Sequence, residues 1–401
     1  MKDENWVMKR KRERHGPSRL KKLLESYGSP QDSLQVIHIA GTNGKGSTCQ
    51  YLSDILVSQG FKVGLFTSPH MSEHRDRIRI NGAWIPHERF MKYVSMCEKD
   101  IEAYDLGMFE IDVLIAFLYF RDEQVDYAVL EAGMGGRNDS TNVMERPVLS
   151  LITTVGYDHM QYLGERLEQI AYEKAGIMTP DSDGVIGYLD EACEQVIEKY
   201  AKNVHARLLK LPENEVIENQ DFTTSFRFMG DVYTVGSGAL YQADNASMAL
   251  FCAWVLGIDV HSEAVKKAVL SSFWPGRFEV VSKDPLVVLD GAHNEEGMRA
   301  LVEAAASLPR PLVSVFSALK DKPGRKMASM LRGISDRMYV TSFESERADS
   351  VDALMIEDCI KEPDEETALK RAMEDVKDGG CVLVSGSLYF ISSIRPMFVK
   401  K

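Results

Sequence analysis

The stretch 38-HIAGTNGKGSTCQ-50 joins an apolar run to three glycines, a lysine and two adjacent hydroxyl residues. If a strand enters this loop and a helix leaves it, backbone N–H groups crowd toward an anion, and the helix N-terminus adds partial positive charge. Lys45 can neutralise terminal phosphates. Ser47 or Thr48 can cap the helix or approach a metal, and Thr42, Asn43, Gly44 and Gly46 complete the loop. The common phosphate loop closes Gly-Lys directly on Ser or Thr; here Gly46 stands between Lys45 and Ser47. The competing reading is a tight strand–helix turn that holds no phosphate. The coincidence of strand, glycines, lysine and helix weighs against it.

Further reactive groups follow other apolar runs. Glu131 opens 131-EAGMGGRNDSTN-142, where it can reach magnesium bound to phosphates, and Arg137 and Asp139 lie in a glycine-loosened turn. In 153-TTVGYDHMQYLG-164, Asp158 and His159 offer two ligands or bases, although a lone histidine is more often satisfied structurally or on the surface. Lys174 closes the helical segment 165–177; a lysine there ordinarily offsets the helix dipole, and the residues alone give it no more than that. His70 and His74 are four apart but lack the H-E-x-x-H pattern of a zinc pair. HMSEHRDRIRING therefore reads as a flexible polar loop over a substrate, with Arg75, Arg77 and Arg79 meeting acidic groups or simply solvated. Late in the chain, Asp290 and His293 end another apolar run, 287-VVLDGAHN-294, and Arg277 follows a Pro-Gly break.

These groups need strand ends to hold them. LQVIHIA, KVGLFTS, YAVLEAG and VLSLITTVG read as buried strands, and 47–60, 109–120 and 243–257 as helices. Such alternation predicts α/β architecture, with an N-terminal domain built on a mostly parallel sheet with helices on both faces. A hairpin with its turn at Gly230-Asp231 is expected over 220–237. Pro275 and Gly276 then mark a boundary, and PLVVLDG, LVSVFSA, MYVTSF and CVLVSGSLYF build a smaller C-terminal α/β domain. The predicted division is 1–275 and 276–401. With 401 residues and 44% hydrophobic content, two cores are attainable.

The formal net charge of -13 argues against nucleic acid and anionic membrane as partners. The basic stretch 9-KRKRER-14 reads as a solvated helix or tail, since no aromatic residues interleave with it to stack bases. Six scattered cysteines without a C-x-x-C pair argue against a zinc knuckle and a disulfide framework. With no apolar signal core and no bilayer-length run, a cytoplasmic protein is expected.

Taken together and in order, HIAGTNGKGST, LFTSPHMSEHRDRIRING, FEIDVLIAFLYF, LEAGMGGRNDSTNV, DHMQYLG, IAYEKAGI, WPGRFE and LDGAHN resemble the folylpolyglutamate synthase and dihydrofolate synthase family of the Mur ligase superfamily. The resemblance spans about residues 35–297, and the extra glycine of the loop is that family's own spacing. It implies an N-terminal P-loop-type ATPase domain, ATP and two magnesium sites. Lys45, Gly46 and Ser47 would bind phosphate; Ser68, Glu131 and His159 would hold metal. Lys174 matches the lysine that becomes carbamylated and helps a second magnesium, which reverses the plain reading of that residue. Arg277, Asp290 and His293 match nucleotide contacts, and His70 and Arg77 belong to the substrate loop. The implied partners are small molecules: ATP, L-glutamate, and a reduced folate or dihydropteroate. A monomer is expected.

In the implied reaction ATP phosphorylates a carboxylate, the glutamate amine attacks the acyl phosphate, and phosphate leaves. No protein nucleophile is needed; alignment and charge neutralisation carry the rate. The chain departs from the family pattern at Asn138, Tyr157, Thr179 and Tyr241, which stand where a bulky apolar residue, Leu, Lys and His are usual. These positions bear on the acceptor, a folate, dihydropteroate or both. Two rivals are a cell-wall Mur ligase, whose extra domain has no room before Gly41, and a non-catalytic nucleotide-binding module.

Overall fold

The computed structural model describes residues 3–10 and 16–399. Residues 11–14 of the basic stretch lie outside these; Arg10 is not a solvated tail residue but donates to the Leu106 carbonyl at 2.8 Å. The chain divides into two compact units, one of residues 1–217, 225–235 and 242–273, the other of residues 218–224, 236–241 and 274–401. The long boundary falls just before Trp274, and two short stretches around the hairpin join the second unit, which the apolar pattern does not foretell.

The first unit holds an eight-stranded sheet. Its strands are β1 (Gln35–Ala40), β2 (Val63–Phe66), β3 (Ile78–Ile80), β4 (Ala83–Trp84), β5 (Tyr127–Glu131), β6 (Leu149–Ile152), β7 (Asp183–Ile186) and β8 (Arg207–Lys210). Their order is β4-β3-β2-β5-β1-β6-β7-β8. All neighbouring pairs from β2 to β8 are parallel, and only β3 and β4 run antiparallel at one edge. The central strands are buried on both faces, as continuous apolar runs require of a helix-covered parallel sheet. Alternation sorts their side chains. Ile37, Ile39 and Val129 pack with Leu52 and Ile55 of the helix Lys45–Ser58, while Val36, Ala128 and Leu130 pack with the helix Met108–Asp122 on the other face.

Strands β9 (Glu215–Gln220), β10 (Thr223–Phe228) and β11 (Asp231–Val235) form a small sheet of order β11-β10-β9. The β10–β11 turn sits one residue earlier than predicted, at Met229 and Gly230, because these two residues carry the positive φ angles, 49° and 84°, that a tight hairpin turn needs.

The second unit contains β12 (Glu279–Lys283), β13 (Leu286–Asp290), β14 (Leu312–Phe316), β15 (Arg337–Val340), β16 (Ile360–Lys361) and β17 (Cys381–Ser385), ordered β12-β13-β17-β14-β15-β16. Only β12 is antiparallel to its neighbour. Leu301, Leu331, Met338 and Leu383 are among the residues of its core. The predicted α/β class and smaller C-terminal α/β domain are therefore observed.

Candidate functional site

The strands β2, β5, β1 and β6 are adjacent and parallel, so the loops that leave their carboxyl ends emerge side by side. Those loops carry Ser68, Glu131, Lys45 and His159. This is where an open α/β sheet presents its ligand crevice. Sequence order alone, β1-β2-β5-β6, does not reveal it.

The loop of residues 41–44 after β1 is braced from β6. Thr42 and Asn43 donate backbone N–H groups to the Thr154 carbonyl and hydroxyl, both at 2.9 Å, and Thr42 Oγ1 accepts from Gly156 N at 2.9 Å. Thr153 Oγ1 donates to the Asn43 carbonyl at 2.6 Å. Gly44 has φ +82°, and a Cβ there would lie 2.3 Å from Asn245 Oδ1, so both backbone and space demand glycine. The helix Lys45–Ser58 begins at once. Its first N–H groups have no intrahelical acceptors and point out of its start. Lys45 Nζ bends back to the Gly41 and Thr42 carbonyls at 3.1 and 3.2 Å. Thr48 Oγ1 is buried without a hydrogen-bond partner, and Ser47 Oγ accepts from Gln242 Nε2 at 3.5 Å.

Glu131 ends β5 and is 4% exposed; its Oε2 accepts the Ser68 backbone N–H at 2.9 Å. The carboxylate is thus tied to the loop after β2. Among the described residues no three His, Cys, Asp or Glu side chains form a ready-made metal cage. That donor set fits a hard divalent cation held by one carboxylate, a hydroxyl and substrate phosphates rather than by an all-protein site.

The turn after Glu131 is built on Asp139, which is fully buried. Its Oδ2 accepts Met134 N at 2.9 Å, and its Oδ1 accepts Thr141 N and Oγ1 at 3.0 and 2.6 Å. Because the Thr141 hydroxyl gives its proton to Asp139, it accepts from His38 Nε2 at 2.8 Å, which fixes the Nε2–H tautomer. His38 lies fully buried in β1, and burial pulls it down to about 4, against an opposing pull from Asp139. The same turn packs on the C-terminal end of the helix Leu167–Ala175: Arg137 N donates to the Glu173 carbonyl at 2.7 Å, and Asn142 Nδ2 to the Gly176 carbonyl at 3.0 Å. Asn138, a departure from the family pattern, donates to Glu173 Oε2 at 3.2 Å.

Lys174 on that helix is 2% exposed. That burial sets it apart from a solvated lysine at a helix end, whose ammonium stays in water. His159 has a left-handed backbone, φ 51°, and its N–H is held by Asp158 Oδ1 at 2.7 Å, with its ring half-buried. Thr179 caps a tight turn with Ser182 and keeps a buried hydroxyl without a partner.

The segment after Ser68 is not the polar loop expected. His74–Arg77 form a 3-10 turn leading into β3, and His74, Asp76, Arg77 and Arg79 are buried. The reason is Asp112 on the helix Met108–Asp122: its Oδ1 meets His74 Nε2 at 2.8 Å and its Oδ2 meets Arg77 Nε at 3.7 Å. Arg77 Nη2 in turn donates to His70 Nδ1 at 3.3 Å. Asp112 was not singled out because it sits in an apolar helical run.

In the second unit, Asp290 ends β13 and is 3% exposed; burial pushes its carboxyl up, while Arg277 and three hydrogen bonds oppose that rise. Those bonds come from Phe278 N at 2.9 Å, Ala292 N at 2.8 Å and Tyr241 Oη at 2.6 Å. His293 Nδ1 donates to the Gly291 carbonyl at 2.9 Å. Sequence reasoning missed Thr153, Thr154, Gln242 and Asn245. The first two read as strand continuation; the last two lie in ALYQADNA, where only the missing histidine drew notice.

The pattern of the Mur ligase middle domain matches residues 39–252, and that of the Mur ligase glutamate ligase domain matches residues 276–388. The chain is 37% identical over 406 residues to the dihydrofolate synthase/folylpolyglutamate synthase of Bacillus subtilis, covering 95% of this chain and 94% of that one. The Mycobacterium tuberculosis folylpolyglutamate synthase complexed with ADP superposes with a TM-score of 0.88 at 29% identity, covering 96% and 94% of the two chains. A bifunctional folylpolyglutamate synthase/dihydrofolate synthase with manganese, AMPPNP and L-glutamate bound gives 0.86 at 28% identity, covering 98% and 97%.

Proposed function

Because the chain belongs to the folylpolyglutamate synthase and dihydrofolate synthase family of the Mur ligases, we propose that the strand-end site of its first unit activates a folate carboxylate with ATP for ligation to L-glutamate. The chain is an ATP-dependent ligase that works with small-molecule substrates. The observation that carries the reading is Glu131, a buried carboxylate between the Lys45 loop and the Ser68 loop, holding the backbone of the latter at 2.9 Å.

The chain's own residues account for the chemistry. Backbone N–H groups of the loop and the start of the helix Lys45–Ser58 bind the nucleotide phosphates, and Lys45 leaves its carbonyl partners for the terminal phosphoryl oxygens. As the substrate carboxylate oxygen attacks the terminal phosphorus, the bond from that phosphorus to ADP breaks and ADP leaves with its electron pair; the lysine and fixed dipoles stabilise the charge on the phosphoryl oxygens. Ser68, Glu131 and His159 would hold a divalent cation, which would supply further charge neutralisation. Lys174, once neutral, can add carbon dioxide and lose a proton to become a carbamate, an anion suited to a second cation. Its burial beside the Glu131 turn supports that role. The neutral amine of L-glutamate then forms the C–N bond, phosphate carries away the C–O electron pair, and the proton lost from nitrogen leaves with the phosphate. Exclusion of water would protect the acyl phosphate.

In this reading residues 1–275 bind ATP and folate, and residues 276–401 serve glutamate ligation. His70 meets the folate, and Arg77, buried against Asp112, steadies His70 through its bond to Nδ1 at 3.3 Å; Arg277 and His293 contribute nucleotide contacts, with Asp290 shaping their turn. The test is a product assay with ATP, magnesium and L-glutamate, offering tetrahydrofolate and dihydropteroate separately and weighing the products. A mass gain of one glutamate on either acceptor, matched by ADP, is expected. ATP binding without glutamate-dependent ADP release on any pterin would favour the non-catalytic module instead.

A further inference from the structure

Tyr241 stands where the family pattern has histidine, and its hydroxyl has a defined task. Asp290 Oδ2 accepts two donors, Tyr241 Oη at 2.6 Å and Phe278 N at 2.9 Å, while Oδ1 accepts Ala292 N at 2.8 Å. The carboxylate therefore gathers three separate chain segments. Phe278 is buried and has a left-handed backbone, φ 52°, a conformation that a bulky residue holds only when its surroundings impose it. The Asp290 bond to its N–H is one such restraint. On the other side of Arg277, the Gly276 carbonyl accepts Gly291 N at 2.8 Å. Arg277 is thus clamped between two hydrogen bonds, both made to the turn that ends β13. Its guanidinium lies over that turn, with Nη1 3.2 Å from where a Cβ on Gly291 would stand. Phenylalanine would satisfy the packing of Tyr241 against the unit's core equally well. What the hydroxyl adds is its bond to the carboxylate.

We propose that Tyr241 is a positioning residue for nucleotide binding: its hydroxyl orients Asp290, which in turn holds Arg277 and His293 in the shape that meets the nucleotide. The inference rests on the reading that these two residues contact nucleotide, and the test separates the two claims. Wild type, Arg277→Ala and Tyr241→Phe are compared as full-length chains by AMPPNP binding, by KM for ATP and kcat, and by thermal unfolding. Arg277→Ala tests the underlying reading and should weaken AMPPNP at least about tenfold, as loss of a charged phosphate contact does. Tyr241→Phe should weaken AMPPNP about fivefold, the worth of one neutral donor to a buried carboxylate, and raise KM for ATP more than it lowers kcat. With one donor to the carboxylate gone, the acid limb of the ATP KM profile should also move to higher pH. If Arg277→Ala leaves binding unchanged, the nucleotide-contact reading fails. If Arg277→Ala weakens binding but Tyr241→Phe only lowers the melting temperature, with affinity and acid limb unmoved, Tyr241 is a packing residue and the proposal is overturned.

Discussion

The Arg137 backbone N–H donates to the Glu173 carbonyl at 2.7 Å, which latches the turn after Glu131 to the helix residue next to Lys174. Two groups assigned to the same chemistry, a carboxylate at a strand tip and a buried lysine on a helix, thereby share one rigid mount. The latch depends on close approach. A Cβ on Gly176 would stand 2.2 Å from the Arg137 Cβ and 2.6 Å from its Cα. Gly176→Ala should cost about 1–3 kcal/mol in urea unfolding, because a backbone atom cannot yield as a side-chain tip can. It should also lower ADP release; full activity in a destabilised variant would show that the mount is not needed.

Lys174→Ala should reduce turnover by about 10² or more while circular dichroism shows the fold retained, if its carbamate stabilises charge in the transition state. Lys174→Met, which keeps more of the buried volume, should lose activity to the same degree. A near-normal rate in either variant would remove Lys174 from the mechanism.

Glu131→Gln keeps an oxygen for the Ser68 N–H but removes the charge. Titrating magnesium against ADP release should show a requirement raised about 10–100-fold, with little change in unfolding midpoint. Unchanged magnesium dependence would assign Glu131 to loop structure alone.

His38 gives a pH signature. Its ordinary value of 6.5 is lowered to about 4 in the fold, chiefly by burial. Between those values the unfolded chain binds a proton that the native chain does not. Stability from this group is therefore complete above about 6.5 and falls as pH drops toward 4. His38→Gln retains a donor for Thr141 and has no titration there. Its denaturant stability should decline less than that of wild type across this range, and parallel declines would contradict the assignment.

Much of this was legible in sequence because strands buried on two faces are continuous apolar runs and glycine loops interrupt them sharply. Val36 to Ala40 and Tyr127 to Glu131 are such cases, and the Lys45 and Glu131 loops follow directly. What sequence could not give was pairing. That β5 lies between β1 and β2 is a long-range choice, and it alone brings Ser68 to Glu131. Burial of charged residues was equally hidden. His74 and Arg77 read as surface residues until Asp112, in an otherwise apolar helix, meets them across 38 and 35 positions of sequence. Lys174 shows the same limit: its place near a helix end argued for water, and its packing decided otherwise.

The bracing of the phosphate loop also bears on how this unit assembles. Ser47 meets Gln242, 195 residues later, and Gly44 is shaped by Asn245. Parallel sheets with such distant contacts fold slowly, since chain entropy is lost before the contacts repay it. During synthesis the glycine loop leaves the ribosome early, yet the partners that complete it appear only after β6, β7, β8 and the hairpin have followed. The earliest motif in the chain is thus the one whose surroundings are completed late.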